Sequence, residues 1–200
     1  MEPSLRAVYG PVNSWRLGRS LGVDLLLQSS ICSFRCIYCQ LGKIQIFTNE
    51  RRIFVPTTKV LADFAASNWQ NADVITLSGN GEPTLALNLG ECLREIKART
   101  DKPLIVLTNA TLLGDPLVRA DLQYADRVFL KLDAATPRLL QIINQPLPEI
   151  TLETILAGIE AFAAEFSGYL AVQTMIMPAS LPEVAALCAL LVRIAPAEVQ

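Results

Sequence analysis

Histidine is absent from this sequence of 200 residues, which removes the commonest general base and the commonest zinc ligand at once. Long apolar runs are also missing: apolar runs such as residues 25–27 and 187–192 fall far short of the roughly 18 residues that a membrane span needs. The first 22 residues hold three arginines and no apolar centre, so they do not resemble a secretory signal peptide. We therefore expect a cytoplasmic protein with no membrane partner.

Charge is distributed unevenly along a chain whose composition, 52% hydrophobic and 18% charged residues, is that of a globular domain. Residues 1–60 hold eight Lys/Arg against three acids, whereas the rest holds nine against sixteen. This basic section surrounds three closely spaced cysteines, and a basic rim suits an anionic partner such as RNA or a phosphorylated cofactor. Ordinary surface charge is the alternative. The basic residues are Arg6, Arg16, Arg19, Arg35, Lys43, Arg51, Arg52 and Lys59.

Five short apolar segments, bounded by polar or turn residues, are predicted to be buried strands. They span residues 23–28, 74–78, 104–109, 127–133 and 169–177. Apolar residues at helical spacing predict helices at residues 58–69, 89–99, 152–166 and 182–194, with Thr57 as the first N-cap and a shorter helix after Pro137. This alternation predicts an α/β fold, a full or partial (β/α) barrel of parallel strands, with a doubly wound open sheet as the alternative.

The whole chain, residues 1–200, is predicted to be one domain in which residues 1–20 form an N-terminal extension. After the last helix, residues 195–200 resemble the beginning of another strand, and a barrel with this spacing needs at least one more. We therefore expect a partial barrel that is truncated at its C-terminus.

Three of the five cysteines, Cys32, Cys36 and Cys39, lie within eight residues of each other. In a cytosolic chain such crowding indicates metal binding or redox chemistry rather than disulfides, and soft thiolates without histidine favour zinc or an iron–sulfur cluster. A structural zinc site closes four ligands, so three local thiolates indicate an open site of the catalytic type. Cys92 and Cys188 lie on the apolar faces of predicted helices, where core packing is the preferred interpretation.

The spacing Cys-x-x-x-Cys-x-aromatic-Cys after a first strand resembles the cluster loop of the radical S-adenosylmethionine (SAM) superfamily. The resemblance implies that the three cysteines hold a [4Fe–4S] cluster and that the methionine moiety of SAM chelates its fourth iron. It further implies reductive cleavage of SAM to a 5′-deoxyadenosyl radical by an oxidoreductase-type enzyme, with an external flavodoxin- or ferredoxin-like electron donor. Tyr38, the aromatic residue before the last cysteine, would lie against the adenine, with ordinary packing as its alternative.

A second motif follows the next predicted strand, where Gly79, Asn80, Gly81, Glu82 and Pro83 form a glycine-rich loop. Glycines allow a backbone to approach a ligand closely, and a carboxylate or carbonyl there can accept hydrogen bonds from an ammonium group. The loop resembles the Gly-Gly-Glu-Pro segment of the same superfamily, which meets the methionine amino group, with Asn80 in place of a glycine.

The ends of the later strands carry further candidate cofactor-binding residues. Asn109 stands in a Thr-Asn-Ala segment that resembles the superfamily's Thr-Asn-Gly strand end, with Ala110 replacing glycine. Lys131 and Asp133, two residues apart on the fourth strand, share a side of it, and the resemblance assigns them to the cofactor ribose and carboxylate; a mutual surface pair is the alternative. Gln173, a lone amide in the fifth strand, is expected to face the barrel, with an edge position as its alternative.

A wider string, from Trp15 to Asp24 and again just after Cys39, is similar to a prokaryotic group of radical enzymes classed with the wyosine-type tRNA-modifying synthases. This resemblance implies tRNA as the partner and base modification as the reaction. Wyosine synthases carry a second cluster on additional cysteines, and this chain has no second cysteine cluster.

Two other interpretations remain open for the cysteine triplet. The first is a non-enzymatic module, an electron carrier or a zinc-stabilised protein, which needs a fourth ligand such as Cys92. The second is an inactive fragment that keeps the motifs of a radical enzyme without its turnover.

Overall fold

Nine strands and six α-helices make up the computed structural model, within the residues that it describes, 5–27 and 29–200. The strands are β1 (Val8–Ser14), β2 (Gly18–Val23), β3 (Ile31–Cys32), β4 (Ile46–Phe47), β5 (Val74–Leu77), β6 (Leu104–Thr108), β7 (Arg127–Lys131), β8 (Tyr169–Gln173) and β9 (Glu198–Val199). The helices are α1 (Thr57–Ala65), α2 (Leu89–Lys97), α3 (Pro116–Leu122), α4 (Pro137–Ile143), α5 (Leu152–Glu165) and α6 (Val184–Ile194).

Seven of these strands form one sheet in the order β1-β2-β5-β6-β7-β8-β9. All neighbours from β2 to β9 are parallel, and only β1 pairs antiparallel, with β2 at the edge. Parallel strands joined by helices are the (β/α) arrangement, and β1 and β9 remain two separate edges in the described part of the chain. The predicted α/β fold with a partial parallel barrel is therefore confirmed.

Alternation of side chains gives the sheet two different faces. One face, with Ile75, Val106 and Leu130, joins the main core that the helices cover. The opposite face holds a smaller apolar cluster of Val74, Ile105, Phe129 and Ala171. Strand residues two apart share a face. The side chains two positions after each member of this smaller cluster therefore lie on the same face, closer to the C-terminal ends of the strands.

The predicted strands after the first agree with β5 to β8 within a few residues, and the strand expected after residue 195 is β9. The prediction for residues 23–28 was wrong, because the first parallel strand is β2 and ends at Val23; Gln28 lies outside the described residues. Leu25 and Leu26 are buried in a loop. A buried loop of apolar residues has the same sequence pattern as a buried strand, which explains the wrong prediction. Part of the expected N-terminal extension is β1, which extends the sheet.

Helix α3 was not predicted, although Asp115 caps it by accepting a hydrogen bond from the Leu117 amide and Pro116 opens it. Thr57 was predicted as an N-cap, but it lies inside α1 and Pro56 is the residue before the helix. Cys188 is exposed on α6 rather than packed in a core. None of the helices described in residues 5–27 and 29–200 has the length and apolarity to cross a membrane.

One long connection interrupts the regular alternation, between the end of β2 and the start of α1. Within it, β3 and β4 form a separate two-stranded parallel pair. This connection carries all three clustered cysteines and lies over the C-terminal ends of the main strands, because Ile31 of β3 bridges to Gly81 just after β5.

Helix α5 packs closely through Gly158 against the loop that follows β6. A Cβ atom on Gly158 would lie 2.7 Å from the Gly114 nitrogen and 2.8 Å from the Leu113 carbonyl carbon. Helix propensity alone predicts that Gly158→Ala stabilises the chain by about 1 kcal/mol. We expect the backbone clash to outweigh this gain and leave a net loss of about 1–2 kcal/mol in the free energy of unfolding, measured by urea denaturation.

The matched control is Ala157→Gly, one residue away on the exposed side of α5. It changes helix propensity in the opposite sense without a packing contact and should cost about 1 kcal/mol. A Gly158→Ala protein more stable than the wild type would contradict the close packing of α5.

Candidate cofactor site at the C-terminal strand ends

The three cysteines lie in one loop beside the strand ends and are all half-buried. Cys32 ends β3, and a turn brings the other two together, since the Cys39 amide donates to the Cys36 carbonyl at 3.0 Å. In the described residues, no three Cys, Asp or Glu side chains converge closely enough to hold a single metal ion. A cubane cluster binds each thiolate through a different iron, so it requires thiolates that are farther apart than those around one ion.

Backbone hydrogen bonds from a distant segment, residues 143–147, hold the cysteine loop in place. The Arg35 amide donates to the Asn144 carbonyl at 2.9 Å, and the Ile37 amide donates to the Ile143 carbonyl at 2.9 Å. In the reverse direction, the amide of Leu147 donates to the Ser33 carbonyl. The C-terminal end of α4 therefore sets the path of the loop between Cys32 and Cys39.

Two asparagine amides are directed at cysteine sulfurs. Asn109 Nδ2 donates to Cys32 Sγ at 3.5 Å, and Asn144 Nδ2 donates to Cys36 Sγ at 3.4 Å. The Phe34 amide adds a contact to Cys32 Sγ at 3.4 Å. N–H donors around sulfur stabilise thiolates and tune iron–sulfur clusters, so these contacts fit a thiolate-bound cluster.

Burial dominates the acid–base properties of these thiols. It raises the pKa of Cys32 to about 12, with the Glu82 carboxylate acting in the same direction. Burial also raises the pKa of Cys36, against the hydrogen bond from Asn144. The Cys32 and Cys36 thiols therefore hold their protons near neutral pH, and a metal that binds them has to displace these protons.

The loop after β5 depends on two glycines with positive φ angles. Gly81 has φ +147°, and a Cβ atom there would lie 1.7 Å from the Ile31 carbonyl oxygen. Gly79 has φ +134°, and its Cβ would lie 2.5 Å from Asp24 Cγ. Asn80 fills the position between them, with its amide donating to the Leu27 carbonyl at 3.2 Å. The two glycines thus let the loop pass directly against the cysteine-bearing connection.

Glu82 is buried and has no carboxylate oxygen left without a partner. Its Oε1 accepts hydrogen bonds from Thr84 Oγ1 and Thr108 Oγ1, both at 2.7 Å. Its Oε2 accepts a hydrogen bond from the backbone amide of Asn109 at 2.6 Å. Burial raises the pKa of Glu82, although these hydrogen bonds oppose the shift. The carboxylate therefore joins the ends of β5 and β6, and Pro83 next to it begins a buried 3₁₀ turn.

A cleft of about 360 Å³ lies next to this loop and is within the size range of small-molecule sites. Its walls come from the cysteine loop, the glycine loop and the inward faces of β6 to β8. Six residues predicted from the sequence line it: Tyr38, Cys39, Gly79, Gly81, Lys131 and Gln173. Lys131 and Gln173 are direct register partners on β7 and β8, so both point into the cleft from one level.

Asp133 lies behind the cleft wall rather than in it. It is 2% exposed and accepts hydrogen bonds from the Tyr38 hydroxyl, from Asn144 Nδ2 at 2.7 Å and from the Met175 amide at 2.7 Å. Lys131 Nζ lies 3.3 Å from its Oδ1, so these two side chains do form a pair, but with the carboxylate buried. Burial together with the Asp133 charge raises the pKa of Tyr38 strongly.

Cys92 is buried on α2 and packs in the main core, with its sulfur 3.7 Å from Thr57 Oγ1. Burial raises its pKa to about 11. Its side-chain partners belong to α1 and to Asn88, and it does not extend the cysteine triplet into a four-ligand group. The interpretation of Cys92 as a core residue is the one that this geometry supports.

The basic section is partly neutralised by acids. Arg51 pairs with Asp121 at 2.6 Å, and ion pairs also join Arg19 to Asp73 and Lys59 to Asp63. Of the remaining basic residues, Arg16 lines the cleft.

Sequence analysis assigned no role at this site to Asn144, and it named Arg16 only as part of the basic section that surrounds the cysteines. Arg16 lies in the hairpin turn between β1 and β2, at the N-terminal end of β2, and it lines the cleft from there. Asn144 is the residue after α4, and no local pattern links it to a cysteine loop 108 residues away.

The sequence matches the Radical SAM superfamily over residues 27–190. It is 54% identical over 177 residues to a UPF0026 protein of Synechocystis sp., covering 88% of this chain and 67% of that protein. It is 35% identical to a UPF0026 protein of Methanocaldococcus jannaschii, covering 84% of this chain and 53% of that one. These names mention no wyosine synthase, so the grouping with such enzymes stays a prediction.

A third relative, from Brachyspira hyodysenteriae, is named GTPase Obg and is 38% identical over 82% of this chain and 24% of that protein. The present sequence has no Gly-x-x-x-x-Gly-Lys-Ser/Thr motif, the phosphate loop of P-loop GTPases. This chain thus spans about two thirds of the Synechocystis protein, half of the archaeal one and a quarter of the Brachyspira one.

Solved structures show the same fold at low identity. Streptococcus suis SuiB bound to the precursor peptide SuiA superposes with a TM-score of 0.68 at 14% identity, over 89% of this chain and 38% of that one. The protein anSMEcpe, with bound AdoMet and a Cp18Cys peptide, gives a TM-score of 0.66 at 17% identity, over 90% and 49%. With a sequence match over most of its length and this shared fold, the chain belongs to the radical SAM superfamily.

Proposed function

We propose that the chain cleaves SAM reductively, with a [4Fe–4S] cluster on Cys32, Cys36 and Cys39 and with SAM bound in the adjoining cleft. The observation that carries this proposal is the cleft itself. Six residues predicted from separate parts of the sequence line one cavity, and Cys39 is among them. Membership in the superfamily supports the same assignment.

The chain's own groups account for the binding of a charged amino acid moiety and a nucleoside. The backbone at Gly79 and Gly81 can approach an ammonium group closely, while Lys131 and Gln173 offer donors to carboxylate or ribose oxygens. Tyr38 offers a ring at the cleft wall for the adenine. When bound, the cluster supplies the single electron that breaks a carbon–sulfur bond of SAM and yields a 5′-deoxyadenosyl radical.

Anaerobic reconstitution with iron and sulfide tests the cluster. We expect about four irons per chain, spectra that change on addition of SAM, and 5′-deoxyadenosine under dithionite. Cys36→Ala should lose both the iron and the product, because two thiolates do not hold a cubane. Cys188→Ala, which removes an exposed cysteine on α6, is the matched control and should keep wild-type iron.

The same assay separates the alternatives. A colourless protein with one zinc would support the zinc-stabilised module and contradict the cluster. Four irons without 5′-deoxyadenosine would instead indicate an electron carrier or an inactive fragment. Cys36→Ala with wild-type iron content would remove that cysteine from the ligand set.

Substitution of Gly81 tests the contact between the glycine loop and the cysteine connection. A methyl group at Gly81 collides with the Ile31 carbonyl, next to Cys32, so Gly81→Ala should reduce iron content and SAM cleavage at least tenfold. Gly42→Ala is the matched control, because Gly42 also has a positive φ, +68°, but nothing lies within 4 Å of its Cβ position. Equal iron contents in the two variants would contradict the proposed role of Gly81.

We further propose tRNA as the substrate class and a flavodoxin- or ferredoxin-like protein as the electron donor. The tRNA proposal is supported by the similarity around Trp15 and by Arg16, a basic residue at the cleft for which the described residues show no ion pair. Both side chains are on the β1–β2 turn, where the indole is 87% exposed. Aromatic and basic groups together suit a nucleic acid, since one stacks on bases and the other neutralises phosphate.

Binding of bulk tRNA at several salt concentrations tests this substrate class. Arg16→Ala should weaken binding and reduce the slope of log K against log salt by about 1. Arg19→Ala is the control on the same hairpin, because Arg19 is already paired with Asp73, and it should change the slope less. Wild-type binding that is absent or insensitive to salt would contradict the tRNA proposal.

A further inference from the structure

The side-chain amide of Asn144 occupies a buried position between Asp133 and Cys36. Asn144 is 1% exposed, and its Nδ2 lies 2.7 Å from Asp133 Oδ2 and 3.4 Å from Cys36 Sγ. An amide nitrogen carries two hydrogens, so one can bond to the carboxylate and the other can bond to the sulfur. The Tyr38 hydroxyl oxygen also lies 3.4 Å from Asn144 Nδ2 and is a further acceptor for this amide.

The negative charge of Asp133 fixes the orientation of this amide, and within the described residues no hydrogen bond to the amide oxygen contributes to it. Asp133 accepts hydrogen bonds and repels a carbonyl oxygen, so the nitrogen has to face the carboxylate. The amide oxygen, Asn144 Oδ1, is buried with no protein partner in the described structure. Leaving a buried acceptor without a partner costs free energy. The same orientation that leaves Oδ1 without a partner directs an N–H group at Cys36.

We infer that Asn144 is a positioning residue for the cluster: it donates an N–H···S hydrogen bond to the Cys36 thiolate and raises the reduction potential of the centre. This inference rests on the proposed function, since it requires Cys36 to be a cluster ligand. Electrons added to a cluster increase the negative charge on its sulfurs, so an N–H donor stabilises the reduced form more than the oxidised form.

Asn109 has a comparable arrangement at the other end of the loop. Its Nδ2 donates to Ser33 Oγ at 2.9 Å and to Cys32 Sγ at 3.5 Å. Each amide thus uses an oxygen partner to hold its orientation and directs a hydrogen at a cysteine. Asn144 differs in that its oxygen partner is the Asp133 carboxylate, which Lys131 contacts from the cleft side. A chain of contacts therefore connects the cleft to one ligand sulfur.

The test is the midpoint potential of the reconstituted cluster in Asn144→Leu, measured by electron paramagnetic resonance during redox titration. Leucine is close to asparagine in size and has no N–H donor. At a fixed potential, we expect the ratio of reduced to oxidised cluster to fall about three- to tenfold, which corresponds to the net loss of one hydrogen bond. Iron content should remain close to four per chain.

Asn88→Leu is the matched control, because Asn88 is also buried, also has an unpartnered Oδ1 and donates to the sulfur of Cys92, outside the triplet. A structural effect of losing a buried amide would appear in its thermal stability, but its potential should equal the wild-type value. If Asn144→Leu fails to load iron, Asn144→Ala takes its place, since alanine is smaller, also lacks a side-chain donor and leaves the backbone pairs of the loop intact.

The possible results separate the inference from the function on which it rests. A wild-type chain with four irons and an unchanged potential in the Asn144 variant that loads overturns the inference and leaves the proposed function intact. An equal shift in Asn88→Leu also overturns it, because the effect would then not depend on the Cys36 contact. A wild-type chain that forms no cluster overturns both.

Discussion

The buried carboxylate of Glu82 is the interaction on which the geometry of this site depends. A buried charge is costly unless hydrogen bonds satisfy it, and here Thr84, Thr108 and the Asn109 amide supply them. The Glu82 amide in turn donates to the Ile31 carbonyl at 2.9 Å. The ends of β5 and β6 and the strand that leads into Cys32 therefore meet at one residue.

Two kinds of support position the site, and they come from different parts of the chain. Backbone contacts place the loops: Gly81 lies against Ile31, and the segment after α4 pairs with the cysteine loop. Side-chain amides then orient the sulfurs, through Asn109 at one cysteine and Asn144 at another. This division matters because a loop fixed only by its own turns would leave the thiols free to move, whereas distant strands and helices hold this loop in a defined path.

The sequence predicted the parts of this molecule whose signals are local. Buried parallel strands are short apolar runs, and closely spaced cysteines or Gly81-Glu82-Pro83 are recognisable within a few residues, so the fold and half of the cleft lining followed from the sequence. Burial of Asp133 and the contact of Asn144 with Cys36 depend on residues far apart in sequence, and no local pattern encodes them. The displaced first strand has a related cause, since a buried loop at Leu25 and Leu26 has the same composition as a buried strand.

The pairing of the cysteine loop with the end of α4 has a consequence for biosynthesis. Cys36 leaves the ribosome 108 residues before Asn144, which is roughly 5–20 s at ordinary rates of translation. During that interval the three thiols have neither the backbone partners of residues 143–147 nor the Asn144 amide. The nascent chain therefore presents its cysteines to solvent and oxidants before their enclosure exists. The loop therefore reaches its final path only after α4 has been made and has docked on it.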